Sequence, residues 1–324
     1  KYNLGWASIG MCTHAFYEAI NHASSRVLYG KHVTDFPHVK QAFVDAYTRL
    51  VSMKVFALRA ADYIRTASAE DRRYLLYTPM VKMKVTTQGE EVINHLWDVI
   101  AAKGFEKDMY FEMAARDIRA LPKLEGTVHV NMALIIKFMR NYFFNPGKFP
   151  EIPRVDQARN DDFLFAQGAT KGLGGIQFHD FNLAYNSVDL PNVNLFQEQI
   201  EVFKKFLITS ASDVATAQKQ ARDMDFLLAM GELFTLVAYG QLILEYSKLD
   251  PDEMSDDLVE QIFDFMVRDF SKFALQIYSK TGTSEAQMAI CLEMIRKPVK
   301  DLERYQRIWQ DHVFALKDQY NMND

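Results

Sequence analysis

Cysteine is nearly missing from this chain. There are two in 324 residues, Cys12 and Cys291, both in apolar stretches with helical pattern. That excludes a disulfide framework and predicts reduced, buried thiols in a reducing compartment. Glycine (14) and proline (9) are scarce as well, and they gather in the region 145–193. The rest of the chain lacks the punctuation that turns and short strands need, so it reads as long helices. No uninterrupted apolar run reaches about 18 residues, and no transmembrane helix is expected. Surplus positive charge is missing too. Lys plus Arg is 37 against 42 for Asp plus Glu, a net charge of −5, which argues against a nucleic-acid partner. The histidines are dispersed. Glu18 with His22 and Glu91 with His95 each have one residue too many between them for the Glu-x-x-His pairs of a di-iron bundle, so no metal is expected. The first residue is Lys and helical pattern starts almost at once. No signal peptide is expected, and the chain reads as a fragment or processed product of a longer one.

What is present is core material. Hydrophobic residues make up 49% and charged residues 24%, an ordinary globular balance, and the length suits two domains or one large one. A first helix is expected over 6–29, stopped by Gly30. A second runs from Pro37 to Thr66, with apolar positions at spacings of three and four. A third starts near Ser68, kinks at Pro79 and stops at Gly104. A short helix follows over 108–119, and a fifth begins after Glu125 and reaches Phe144. Together they predict an all-α, antiparallel four-helix bundle over 1–144. Residues 145–193 read as an irregular connector. Its glycine-rich run, Lys171-Gly172-Leu173-Gly174-Gly175, has no preceding strand and no following Lys-Ser/Thr, so a surface loop is favoured over a phosphate cradle. Helices expected at 194–219, 222–248, 255–280 and 284–319, with Ser255 as a cap and Pro298 as a kink, make 194–324 a second helical bundle.

Two short elements carry candidate chemistry. Arg26 precedes Gly30 by about one turn, where a guanidinium can reach a diphosphate or simply sit exposed. Leu124-Glu125-Gly126-Thr127 places a carboxylate before an apolar helix, and such a residue caps a helix more often than it catalyses. Their company decides between these readings. Ser25-Arg26-Val27-Leu28-Tyr29-Gly30-Lys31 resembles the Arg-x-x-Phe/Tyr-Gly element of acyl-CoA dehydrogenases. Lys103-Gly104-Phe105, Arg116-Asp117 and Leu124-Glu125-Gly126-Thr127 then resemble that family's Gly-Gly-x-Gly-Phe/Tyr, Arg-Asp and Tyr-Glu-Gly-Thr series, in the same order. Asn3-Leu4-Gly5-Trp6 resembles the start of its C-terminal helical domain. The resemblance covers about residues 1–144.

It implies an FAD-dependent enzyme that desaturates an acyl-CoA thioester between Cα and Cβ. Glu125 matches the base that takes the α-proton while the β-hydrogen leaves as hydride to the flavin. An ionised carboxylate in an apolar pocket suits that task. Arg26 matches an arginine on the flavin diphosphate, with Tyr29 beside it, and Gly126 and Thr127 match residues bordering the base and the dinucleotide. An electron-transfer flavoprotein, a homodimer or higher homo-oligomer, and a cytoplasmic location (mitochondrial in a eukaryote) are implied with it. The family's N-terminal and middle domains have no counterpart here, so the fragment alone is expected to be inactive. Residues 194–319 are similar in size and position to the second helical domain of very-long-chain members. Several positions depart from the pattern, among them Phe36-Pro37, which replaces the usual x-Gln. Ala101-Ala102 stands where Gly-Gly is usual, Asp98 where a flavin-contacting Gln is common, and Leu28 where a polar residue is frequent. These departures favour the alternative, a non-catalytic helical interaction module that no longer binds flavin.

Overall fold

The computed structural model describes residues 1–157, 162–166 and 172–320, so Lys171 of the glycine-rich run lies outside the described residues. The chain is all-α apart from one two-stranded hairpin among those residues. It divides into two compact units that interleave in sequence. Unit 1 holds Lys1–Ala57, Val81–Val128 and the chain from Lys300 on, and unit 2 holds Leu58–Met80 and His129–Val299. Boundaries at 144 and 193 do not follow this division, because the second helix and the Pro79 helix each continue across it.

In chain order the elements are α1 (Tyr2–Ser25), β1 (Val27–Leu28), β2 (Lys31–His32), α2 (Pro37–Arg65), α3 (Tyr74–Met80), α4 (Thr86–Ile100), α5 (Tyr110–Asp117), α6 (Val128–Ile135) and α7 (Met139–Phe144). Then come α8 (Asp162–Ala166), α9 (Asn182–Tyr185), α10 (Pro191–Ser212), α11 (Val214–Gln220), α12 (Met224–Leu249), α13 (Asp256–Tyr278), α14 (Glu285–Glu293) and α15 (Leu302–Arg307).

In unit 1, α1 packs along α4, on the π-helical turn Val81–Val85 that joins α3 to α4, and on α5. The approach is close because glycine faces the partner. A Cβ at Gly89 would sit 2.0 Å from Ser8 Oγ, and one at Gly5 would sit 2.6 Å from Val81. Ser8 Oγ donates to the Val85 carbonyl at 3.3 Å, so the same small residue both makes room and bonds across. Cys12 is fully buried at this contact, and burial drives its thiol pKa far up, leaving it inert. Trp309, following α15, packs near Phe43 of α2.

Several helix boundaries differ from the sequence reading, and the helix expected over 194–219 breaks at Asp213, which caps α11. α1 ends at Ser25, not 29, and Gly30 is not its stop. Tyr29 (φ 53°) and Gly30 (φ 77°) are instead the two central residues of the β1–β2 turn. Two consecutive positive φ values are what a tight right-twisting hairpin turn needs, and Gly30 supplies one without cost. The third helix starts at Tyr74 rather than Ser68, and Pro79 lies inside α3 just before the π turn, where its missing N–H relaxes the ladder. Pro298 breaks rather than kinks. α14 stops at Glu293 and α15 starts at Leu302. The stretch between them is bonded by side chains instead, with Val299 N donating to Asn192 Oδ1 at 2.7 Å and Arg296 N to Ser271 Oγ at 2.9 Å.

In unit 2, α10, α12, α13 and α14 pack as a bundle. Asp223, Ser255 and Ser284 cap α12, α13 and α14, as the sequence predicts for Ser255. The core is aromatic: Phe143, Phe181 and Phe234 crowd Tyr142, and Phe196 meets Phe263 and Phe270. Helix α12 is the one helix among the described residues apolar enough to test the expectation of no transmembrane span. It is 26 residues long with mean hydropathy 1.7 over its most apolar window, enough by length and composition to cross a membrane. That window is 83% buried within the protein, so its apolar surface on every side serves the core.

Candidate functional site

The motif residues all lie in unit 1, and their backbone is unusual. Among the described residues, non-glycine positive φ occurs at Tyr29 (53°), Ala101 (58°), Glu125 (54°) and Asp318 (59°), and Gly126 follows at 97°. Three of the four non-glycines are motif positions. Ala101, with ψ −142°, occupies a region essentially reserved for glycine. Where the resemblance sets a glycine, an alanine stands here on glycine-type backbone. Gly104 is held by packing instead. A Cβ there would meet the Trp97 indole nitrogen at 2.5 Å, and Phe105 covers the other side of that ring at 4.9 Å between centroids.

Arg26 follows α1 directly, is exposed, and lies 3.4 Å from His22 Nε2 through Nη1. Burial lowers the His22 pKa, and the charges of Lys103 and Arg26 lower it further. Lys103 of the Lys103-Gly104-Phe105 run and Arg26 of the hairpin element therefore share one neighbourhood, although 77 residues separate them in sequence. Tyr29 projects from the hairpin at 96% exposure, and Asp98 and Leu28 are exposed. Arg116 bonds Asp117 and Glu112 at the surface, so the Arg-Asp pair is a helix-end ion pair in this chain.

Glu125 and Thr127 are exposed and Gly126 is half-buried. Glu125 caps no helix, since α6 begins only at Val128. The loop beneath it is tied down by a group the sequence reading missed. Lys82, fully buried in the π turn, donates from Nζ to the carbonyls of Pro122 and Gly126, each at 2.6 Å. Its signal was the alternation of Lys82 and Lys84 with apolar residues in the Val81–Val85 run, both lysines being buried.

Unit 2 contains a second polar cluster that sequence reasoning also missed. Glu245 of α12 accepts from Arg59 Nε at 2.9 Å and from Tyr63 Oη at 2.9 Å. Arg73 Nη1 donates to His179 Nδ1 at 2.6 Å, which leaves Nε2–H to face Glu245 at 2.9 Å. Arg59 also bonds Asp62 at 3.0 Å, and Arg73 bonds Asp71 at 2.6 Å. Burial acts to raise the Glu245 pKa, but His179, Arg59 and Gln241 outweigh it and hold the carboxyl near 2. A cavity of about 100 Å³ adjoins the cluster. These groups come from four separated stretches, so no local pattern announces them. No group of three or more potential metal ligands exists among the described residues.

The family model described as Acyl-CoA dehydrogenase, C-terminal domain, matches residues 2–139. This segment is an acyl-CoA dehydrogenase C-terminal domain. No curated protein gives a significant match to the sequence. Among solved structures, the acyl-CoA dehydrogenase of Bacillus anthracis, complexed with FAD, superposes at TM-score 0.64 and 15% identity, over 97% of this chain and 55% of its own. Acyl-CoA oxidase-1 of Caenorhabditis elegans, complexed with FAD and ATP, gives 0.59 at 11% identity, over 97% and 48%. Acyl-CoA oxidase 1 of Arabidopsis thaliana gives 0.55 at 13%, over 97% and 48%. The chain thus spans about half the length of these structures and has their fold beyond residue 139 as well. Within the dehydrogenase domain, the run Leu124–Thr127 falls inside the matched residues, together with Arg26, Ala101 and Lys82.

Proposed function

We propose that the chain is the C-terminal part of an FAD-dependent acyl-CoA dehydrogenase or oxidase that forms the 2,3-double bond of an acyl-CoA thioester. The observation that carries this is the Glu125-Gly126 pair, held at left-handed φ values within the matched domain and free of any capping role. FAD, when bound, accepts the β-hydride. The chain's own contribution is the Glu125 carboxylate, which takes the α-proton, and the exposed Arg26 guanidinium, which suits the cofactor's diphosphate. An exposed base needs an apolar cover, and the domains that precede this one in the family would supply it. An electron-transfer flavoprotein in a dehydrogenase, or oxygen in an oxidase, would reoxidise the flavin.

The test uses the full-length protein. Yellow protein that bleaches on adding acyl-CoA supports the reading, and Glu125→Gln should abolish the bleaching. A folded, colourless protein that takes up no added FAD overturns it. Reoxidation in air without a carrier would mark an oxidase. Loss of the Gly-Gly pair at Ala101-Ala102 and the charge of Asp98 favour the second reading, a helical interaction module without flavin. That reading predicts the colourless result.

A further inference from the structure

Lys82 has no place in the chemistry above, yet it is among the most completely enclosed cations in the chain, at 0% exposure. A buried ammonium is costly unless its protons are bonded, and here two main-chain carbonyls take them. Burial lowers its pKa, the charges of Lys1 and Lys123 add to that, and Glu125 opposes it. Salt-bridging would solve the burial problem equally well, as it does for Arg59 in unit 2. Instead, the two acceptors are Pro122 and Gly126, which enclose Lys123, Leu124 and Glu125 between them. This loop contains the two consecutive positive-φ residues of the motif, Glu125 and Gly126. A loop of that kind is strained and opens unless its surroundings over-determine it. Its own turn bonds, Lys123 N and Leu124 N both to the Ala120 carbonyl at 2.9 and 3.0 Å, lie on the side before Glu125. The Gly126 carbonyl fixes the side after it.

We propose that Lys82 is a positioning residue. By pinning the carbonyls on both sides of Glu125, it holds the strained loop that aims this carboxylate. The chemical part of the inference rests on Glu125 being the base, whereas the pinning stands independently. The π turn has a role in it, because the widened ladder at Val81–Val85 presents a buried lysine towards a loop more than forty residues later in the chain.

The experiment uses the full-length protein with Lys82→Met, which keeps the apolar stem and loses both bonds, and Lys82→Gln, which keeps a donor on a shorter arm. Backbone amides of residues 123–128 should exchange with deuterium about tenfold faster in Lys82→Met, with Lys82→Gln between, while α1 and α4 stay protected. Turnover should fall on the order of 100-fold in kcat with KM little changed, the size expected for misplacing a reacting group by about 1 Å. Glu125→Gln should abolish turnover and leave the exchange pattern as in wild type. Unchanged exchange in both Lys82 variants overturns the pinning. Faster exchange with undiminished kcat overturns the positioning role. Full turnover in Glu125→Gln removes the base reading and leaves the pinning intact. If neither variant folds, 15N-lysine labelling of the wild type decides: slowly exchanging Lys82 ammonium protons support the pinning, and rapid exchange with solvent overturns it.

Discussion

The two units keep their unusual features in different currencies. Unit 1 stores backbone strain: all four described non-glycine residues at positive φ belong to it, three of them at motif positions. Its fully buried Lys82 is bonded by main-chain oxygen, at the carbonyls of Pro122 and Gly126. Unit 2 has ordinary backbone at its polar centre and stores charge instead, with Arg59, Arg73, Asp62, Asp71 and Glu245 paired in a nearly closed network around His179. Strain that persists only because its surroundings hold it is the signature of a site with a geometric task. A charge network in which each partner satisfies another is the signature of a core that specifies one packing, because removing one member leaves a buried charge alone. On the proposed reading, unit 1 holds the site and unit 2 the scaffold.

The largest effect should come from breaking the unit 2 network. Glu245→Ala leaves Arg59 with Asp62 alone, takes the shared acceptor from Tyr63 and His179, and is expected to cost about 3–5 kcal/mol in urea unfolding. A loss below about 1 kcal/mol would mean that the network is not closed as described. The same carboxyl predicts acid sensitivity. Its folded-state pKa near 2 lies below its ordinary 4.5, so its stabilisation, about 3 kcal/mol at most, is fully present above pH 4.5. It is lost as pH falls from there towards 2. Near-ultraviolet circular dichroism of the tyrosines around Glu245 reports this step, which should be absent in Glu245→Gln. Next in size is the α1–α4 contact of unit 1. Gly89→Ala forces a methyl group towards Ser8 Oγ and should cost about 1–3 kcal/mol. Ser8→Ala in the same chain should recover part of that loss, and a double-mutant cycle showing no coupling would refute the close approach.

Much of this comparison was legible in the sequence and some of it was not. The long helices follow from apolar spacing and from the rarity of Gly and Pro, which is why α2 and α12 emerge nearly where expected. The first hairpin was hidden because Gly30 ends a helix as readily as it turns a chain, and only pairing of Val27–Leu28 with Lys31–His32 separates the two outcomes. The order of Arg26, Gly104, Arg116 and Glu125 pointed to the motif region. Lys82 and the Glu245 network were invisible because tertiary packing makes them: a buried lysine and a buried carboxylate differ from surface ones only in what folds over them. That Glu125 is exposed in this chain was equally beyond reach, since burial of a loop residue is decided by what covers it.

The smallest effect has the opposite sign, which makes it the sharpest probe of the comparison. If Ala101 is held in glycine-type backbone at φ 58° and ψ −142°, Ala101→Gly removes strain of about 1–3 kcal/mol. Glycine widens the unfolded ensemble at a cost of about 0.5–1 kcal/mol. No packing is lost of consequence, because Ala101 is exposed. The balance favours the variant by about 1 kcal/mol, measured as a higher urea midpoint with an unchanged denaturant slope. A control at an exposed helical alanine, Ala7→Gly in α1, pays the entropy without the relief and should lower the midpoint. Should both substitutions destabilise alike, Ala101 is not strained, and the claim that unit 1 preserves the geometry of the lost glycine falls with it.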